Sequence, residues 1–216
     1  MTSKLITIEG NIGSGKSTIV NKLKEKYGDN KRICFLQEPV DIWNSIRDED
    51  GNTILSLYYE NQKEYAFSFQ MMAYISRLEL LKNAIDEGYE YIVSERSLET
   101  DKNVFAKMLY DERKIKHVEY QIYMKWFNKF KNLFNEENIV YVRTEPHVSF
   151  NRVNKRAREG ENIPIEYLEN CHKYHEEWIM KNENINCLLI NGNEDIEKHP
   201  EIMEDWMTTI YEYILK

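Results

Sequence analysis

The chain has 216 residues, 42% hydrophobic and 31% charged, enough to bury one sizeable core and too few for two comfortable domains. Its net charge of −8 speaks against nucleic acid as the main partner, because phosphate-backbone binders need an excess of Lys and Arg on one face. Charge interrupts every apolar run well short of the ~20 residues that span a bilayer, so no membrane partner is expected.

The first strand-like run, residues 5–8, begins so near Met1 that no leader is expected and a cytoplasmic address follows. Further compact apolar runs occupy residues 33–36, 91–93, 139–142 and 187–190, several of them rich in Ile and Val as buried parallel strands are. Between them, stretches such as 62–87 and 165–182 repeat apolar residues every three or four positions, the period of an amphipathic helix. Repeats, low-complexity tracts and flexible linkers are missing, so residues 1–216 read as one α/β domain with five parallel strands and helices on both faces. Cys34, Cys171 and Cys187 are widely spaced in apolar surroundings and read as reduced thiols.

Ligands of open α/β sheets bind beyond the carboxyl ends of the strands. The polar residues there are Glu9-Gly10, Gln37-Glu38, Ser94-Glu95-Arg96, Arg143 and the stretch 191–195. The first of these opens Gly10-Asn11-Ile12-Gly13-Ser14-Gly15-Lys16-Ser17, followed by Thr18, a G-x-x-x-x-G-K-[ST] loop between a strand and a helix. Its glycines let successive N–H groups point at an anion and the helix dipole reinforces them, while Lys16 reaches the β- and γ-phosphates and the Ser17 hydroxyl can ligate Mg²⁺. The loop specifies ATP or GTP and leaves the acceptor open. A GTPase switch carries an Asn-Lys-x-Asp guanine reader, and the Asn-Lys pairs at Asn21, Asn128 and Asn154 all lack the Asp.

Further motifs follow in order: Glu38-Pro39-Val40 with Trp43, Phe67-Ser68-Phe69-Gln70, Glu95-Arg96-Ser97, Arg156-Ala157-Arg158 and Ile163-Pro164-Ile165-Glu166-Tyr167-Leu168, closing with His175-Glu176-Glu177-Trp178 and Asn193-Glu194-Asp195. In type, order and spacing the chain resembles the deoxynucleoside kinase family over nearly its whole length. The resemblance implies a P-loop NTPase-type three-layer fold, ATP as donor, Mg²⁺, a deoxynucleoside acceptor and a homodimer through the long helices. It implies Glu38 as general base for the 5′-hydroxyl, Arg96 as its partner, and Glu95 with Ser17 as metal-holding residues. Lys16, Arg156 and Arg158 then act on the migrating phosphoryl group, Arg152, Glu194 and Asp195 join the phosphate loop around ATP, and residues 152–164 form a lid. Trp43, Tyr59, Phe69, Gln70, Arg77, Asp101, Phe105 and Glu161 become the nucleoside site, with Phe69 and Phe105 sandwiching the base and Tyr59 with Glu161 gripping the sugar 3′-hydroxyl.

The Gln70 amide offers a donor and an acceptor side by side, matching cytosine or adenine in one flip and guanine or thymine in the other. Arg77 follows it by seven residues, two turns along the same helix face. Arg77 and Asp101 match the base-edge pair of the deoxycytidine kinase branch; the former crowds a thymine methyl and the latter favours an exocyclic amino group, which predicts deoxycytidine or purine deoxynucleosides over thymidine. Two alternatives share this fold: a nucleoside monophosphate kinase such as a thymidylate kinase, and a catalytically silent family member serving as an assembly subunit.

Overall fold

The computed structural model describes residues 3–133, 137–158 and 161–216. In chain order the elements are β1 (Lys4–Glu9), α1 (Lys16–Tyr27), β2 (Ile33–Leu36), α2 (Val40–Ser45), α3 (Ile54–Glu60), α4 (Gln62–Asp86), β3 (Tyr91–Glu95), α5 (Leu98–Thr100), a π-helical segment (Asp101–Ala106), α6 (Lys107–Asp111), α7 (His117–Phe130), β4 (Glu137–Arg143), α8 (Pro146–Arg156), α9 (Ile165–His175), a second π-helical segment (Glu176–Met180), β5 (Asn186–Asn191) and α10 (Pro200–Leu215). The five strands form one sheet in the order β2-β3-β1-β4-β5, every pairing parallel. The sheet therefore reverses its winding at β1, the central position from which the phosphate loop springs, and a switch point of this kind is where open α/β sheets bind ligands.

Two-residue alternation divides the strands between two cores. Ile6 and Ile8 face one side with Val93, Val140, Val142 and Ile190, where α1 and α10 cover them through Ile19, Leu23, Met207 and Ile210. Leu5 and Ile92 face the other side against Leu81 of α4 and Tyr123 and Phe127 of α7, while Ile139 and Tyr141 meet Ile179. Each fully buried Ile in these layers contributes roughly 1.5–3 kcal/mol over its exposed state. Helices thus cover both faces, as the alternation of runs predicts.

Local chemistry sets the element ends. Thr53 caps α3 by accepting from Ser56 N–H, and Ser97 and Thr100 form a reciprocal capping box on α5. The predicted helix over 165–182 is α-helical only to His175 and continues as a π segment. Likewise α8 carries Arg152, with Lys155 and Arg156 in its last turn, and ends at Ala157, in the left-handed region at φ 46°, so a lid over 152–164 is helical in its first third. No helix among the described residues is long and apolar enough to cross a membrane.

Candidate active site

Beyond the carboxyl ends of the strands lies a cleft of about 1040 Å³, at the upper end for small-molecule sites and wide enough for two ligands end to end. The phosphate loop forms its floor. Gly13 adopts φ 80°, and a Cβ there would stand 2.6 Å from Ser149 O and 2.9 Å from Val153 Cγ2, so α8 packs against the loop only because this residue has no side chain. Gly15 is needed for its backbone alone, φ 100° at the N-cap of α1 with open space around it. Asn11 Nδ2 donates to Leu168 O at 2.9 Å, tying the loop to α9.

Lys16 is buried, and its Nζ donates to Asn11 O at 2.7 Å. Burial and then the Arg96 charge lower its pKa to about 7, against the pull of Glu95, Glu38 and Glu9. Ser17 Oγ donates to Glu95 Oε1 at 2.6 Å, which sets two hard oxygen ligands side by side. No three His, Cys, Asp or Glu converge as a metal cage among the described residues. Mg²⁺ is commonly held by one or two protein oxygens plus phosphate oxygens and water, and the Ser17–Glu95 pair fits that role.

Next to the loop lies a buried charge network. Glu38 follows β2, and its Oε1 accepts from Arg96 Nη1 and, at 3.1 Å, from Arg77 Nη2. Burial alone raises a carboxyl pKa, but Arg96, Arg77 and Lys16 outweigh it and hold Glu38 down to about 2. Arg77 also donates through Nε to Asp101 Oδ2 at 3.0 Å and through Nη1 to Glu95 O at 2.6 Å. Its guanidinium is raised despite burial by the charges of Asp101 and Glu38; burial pulls the Asp101 carboxyl up against the Arg77 charge.

The cleft then opens into an aromatic chamber. Phe69 stacks on Tyr58 with ring centroids 4.6 Å apart and meets the Trp43 edge at 5.4 Å. Trp43 Nε1 donates to Ser76 Oγ at 2.9 Å. Gln70 lines this chamber, 2% exposed, and its Oε1 has no hydrogen-bond partner. A buried amide oxygen left unmatched costs about 1–3 kcal/mol, which a ligand donor removes. At the lid end Arg156 and Arg158 both pair with Glu161.

The family model for deoxynucleoside kinase matches residues 6–215. The chain belongs to the deoxynucleoside kinase family. Its relatives include a probable deoxycytidine kinase of Fowlpox virus (strain NVSL), 33% identical over 99% of this chain and 89% of the relative. The deoxycytidine kinase of Bos taurus is 32% identical over 96% and 92% of the two chains. A mitochondrial deoxyguanosine kinase of Xenopus laevis is 28% identical over 92% and 85%. This deoxynucleoside kinase is accordingly an ATP-dependent phosphotransferase, and both the five-stranded parallel sheet and the nucleoside kinase reading of the sequence hold.

Of the residues singled out in the kinase sequence, Ile12, Gly13, Ser14, Gly15, Lys16, Ser17, Thr18, Glu38, Trp43, Tyr59, Phe69, Gln70, Arg77, Glu95, Arg96, Asp101, Phe105, Arg152, Arg156, Arg158, Glu161, Glu194 and Asp195 line this one cleft. Four residues make contacts that the sequence did not show. Arg143 turns away to pair with Glu176, because the alternation of β4 sends it to the α9 side. Arg152 is committed to loop carbonyls, donating to Gly192 O at 2.7 Å and Glu194 O at 2.9 Å. Glu161 is held by two arginines with no bond to Tyr59, since opposite charges outcompete a phenol for a carboxylate. One face of Phe69 is already covered by Tyr58, which leaves the other for a base. Positions 159–160, between Arg158 and Ile163, lie outside the described residues.

Sequence reasoning passed over Tyr58 and Tyr167, whose hydroxyls bond each other at 2.7 Å in the chamber wall. Tyr58 precedes Tyr59, yet their aromatic patterning looks the same as core. Met203 and Trp206, at the donor end of the cleft, lie in a helix whose apolar stripe is shared between the core and the cleft.

Proposed function

We propose that this kinase transfers the γ-phosphoryl group of ATP to the 5′-hydroxyl of deoxycytidine or a purine deoxynucleoside in preference to thymidine. The observation that carries this reading is that Lys16 of the phosphate loop and the Glu38–Arg96 pair share one cleft, with the Gln70 amide further in. As the bond from O5′ to the γ-phosphorus forms and the bond from that phosphorus to ADP breaks, the hydroxyl proton passes to Glu38. Lys16 and Arg96 counter the charge on the migrating group, with Arg156 and Arg158 arriving from the lid. Mg²⁺, when bound through Ser17 and Glu95, supplies further neutralisation of the phosphates.

Gln70 reads the base edge, Phe105 and the open face of Phe69 stack on the ring, and the Arg77–Asp101 pair narrows the space where a thymine methyl would lie. Tyr59 meets the sugar. Both Arg77 and Arg96 are already engaged by carboxylates, which favours a neutral nucleoside over a monophosphate acceptor. The enzyme works as a homodimer through α4 and α7, where Ile75, Val118, Ile122 and Trp126 are exposed.

The test is ADP release with Mg²⁺-ATP and each of the four deoxynucleosides, their monophosphates, or no acceptor. Deoxycytidine or a purine deoxynucleoside is expected to give the highest kcat/KM; stimulation by monophosphates alone moves the enzyme to monophosphate kinases, and highest efficiency with thymidine sinks the base preference. Glu38→Gln is expected to lower kcat by about 10²-fold or more, and full turnover in that variant removes Glu38 as the base.

A further inference from the structure

Glu9 closes β1, and strand alternation sets it with Leu5 and Thr7 on the opposite face from Ile6 and Ile8. It is fully buried, yet it belongs to none of the roles assigned above. One oxygen is fixed: Thr100 Oγ1, itself part of the α5 capping box, donates to Glu9 Oε2 at 2.5 Å. The other oxygen, Oε1, has no partner. Burial raises the Glu9 carboxyl, against hydrogen bonds from Thr100 and Ser97 and the charges of Arg96 and Arg77.

Arg96 shows the complementary defect. It follows β3 with φ 63°, a left-handed conformation that costs a non-glycine residue about 1 kcal/mol or more and persists only where the surroundings enforce it. Its backbone N–H donates to Ile8 O at 3.1 Å, which places it beside Glu9. Its guanidinium carbon lies 4.9 Å from the Phe105 ring centroid and Nη1 holds Glu38, but Nε–H is buried without an acceptor. A second free acceptor packs on the same ring: His175 is edge-on to Phe105 at 6.4 Å and stacked on Tyr141, the register partner of Glu9. Its Nδ1–H must donate to Cys171 O, since a carbonyl only accepts, and burial holds the imidazole pKa down to about 3; the ring is therefore neutral and Nε2 is an acceptor. One donor and two acceptors are the complement of a single internal water.

We propose that Glu9 is a positioning residue for Arg96: its Oε1 takes the Arg96 Nε–H through one internal water shared with His175 Nε2, and so aims the guanidinium at Glu38. The proposal rests on the reading of Arg96 as the partner of the base. A guanidinium gripped only at its far end can swing about its own stem, whereas one held at both ends keeps the orientation that phosphoryl transfer requires.

The experiment is a double-mutant cycle on the full-length enzyme, read with the best deoxynucleoside of the panel. Glu9→Met keeps the bulk and removes the acceptor; kcat is expected to fall about tenfold with KM for nucleoside and ATP within about twofold, and Glu9→Gln, which keeps an amide oxygen, to recover most of that loss. In an Arg96→Lys background, which lacks Nε–H, the same Glu9→Met change should move kcat less than about twofold, because coupled residues are not additive. Unchanged kcat in Glu9→Met, or an equal loss in both backgrounds, overturns the proposal. If Glu9→Met does not fold, Thr100→Val, which frees the other carboxylate oxygen, should lower kcat about threefold at constant KM, and no change there is equally fatal. Failure of the underlying reading is distinct: Arg96→Lys would then retain full kcat by itself.

Discussion

At the scale of single residues the site is a contest between burial and charge. Lys16 is buried beside Arg96, which lowers its pKa from 10.5 to about 7, so above neutrality a growing share of the free enzyme carries a neutral amine at the phosphate loop. Bound triphosphate favours the ammonium form, and a proton is taken up with ATP. Calorimetry at pH 8 in two buffers of different ionisation enthalpy should register uptake close to one proton per site, with kcat/KM for ATP declining as pH rises above about 7; binding heats independent of the buffer would refute this. The same shift acts on folding in the opposite sense: between pH 7 and 10.5 the unfolded chain holds the extra proton, so this lysine's contribution to the stability of the ligand-free enzyme rises with pH.

The Arg77–Asp101 pair is a second such contest. Both side chains are almost fully buried; removing Arg77 strands Asp101, whereas removing Asp101 leaves Arg77 with Glu38 and Glu95 O. Arg77→Met, which strands Asp101, should destabilise by about 3–5 kcal/mol and Asp101→Ala by less, while the two together should lose less than Arg77→Met alone, since the uncompensated carboxylate is then gone. Urea denaturation of the three variants measures this, and additive losses would show that the pair does not act as a unit. The double variant should also raise the ratio of thymidine to deoxycytidine kcat/KM. Of these residues, Lys16 and Ser17 were legible from local pattern alone, because the loop's chemistry is contiguous in sequence. The bond between Arg77 and Asp101 was not, because the two lie 24 positions apart, across the turn from α4 to the far side of β3. Glu9 was marked only by its position at a strand end, with no role attached, since its contact with Thr100 is made by a residue far away in sequence.

Among the elements, the strands were legible because each holds a short apolar run, buried on both faces in the central β1, and a parallel sheet needs little more. The ends of α8 and α9 were less so. A π segment after His175 arises from tertiary packing and leaves the apolar period nearly intact. The stop of α8 at Ala157 lacks the Gly that usually marks a left-handed C-cap. That lack yields a prediction: Ala157→Gly relieves the left-handed strain and should stabilise the fold by up to about 1 kcal/mol, partly offset by the freer unfolded chain. For a chain of this size that is a rise in Tm of about 2–4 °C. A fall in Tm on calorimetry would mean that the alanine methyl makes packing contacts that outweigh the backbone strain.

For the molecule as a whole, the open question is what covers the outer face of α4 and α7. Val118, Ile122 and Trp126 recur every four residues and so form one stripe along α7, 61%, 43% and 50% exposed. Tyr74 OH donates to Trp126 O at 3.2 Å, which brings α4 alongside, and the next residue, Ile75, is 50% exposed. Single exposed hydrophobic residues are ordinary, but four large ones on adjoining helices make a patch of the kind that marks an interface. A second copy of the chain can cover it by a two-fold operation, since such a patch meets its own image. Light scattering behind size exclusion should give twice the chain mass of 26.0 kDa. Ile122→Glu with Trp126→Glu should give the single mass, because pairing would then bury four unpaired carboxylates across the symmetric interface. A wild-type enzyme that runs as a monomer at micromolar concentration would leave this face without a partner of its own kind. Ile122 and Trp126 are not among the residues lining the active-site cleft, so the dissociated variant should keep measurable turnover, which separates loss of assembly from loss of folding.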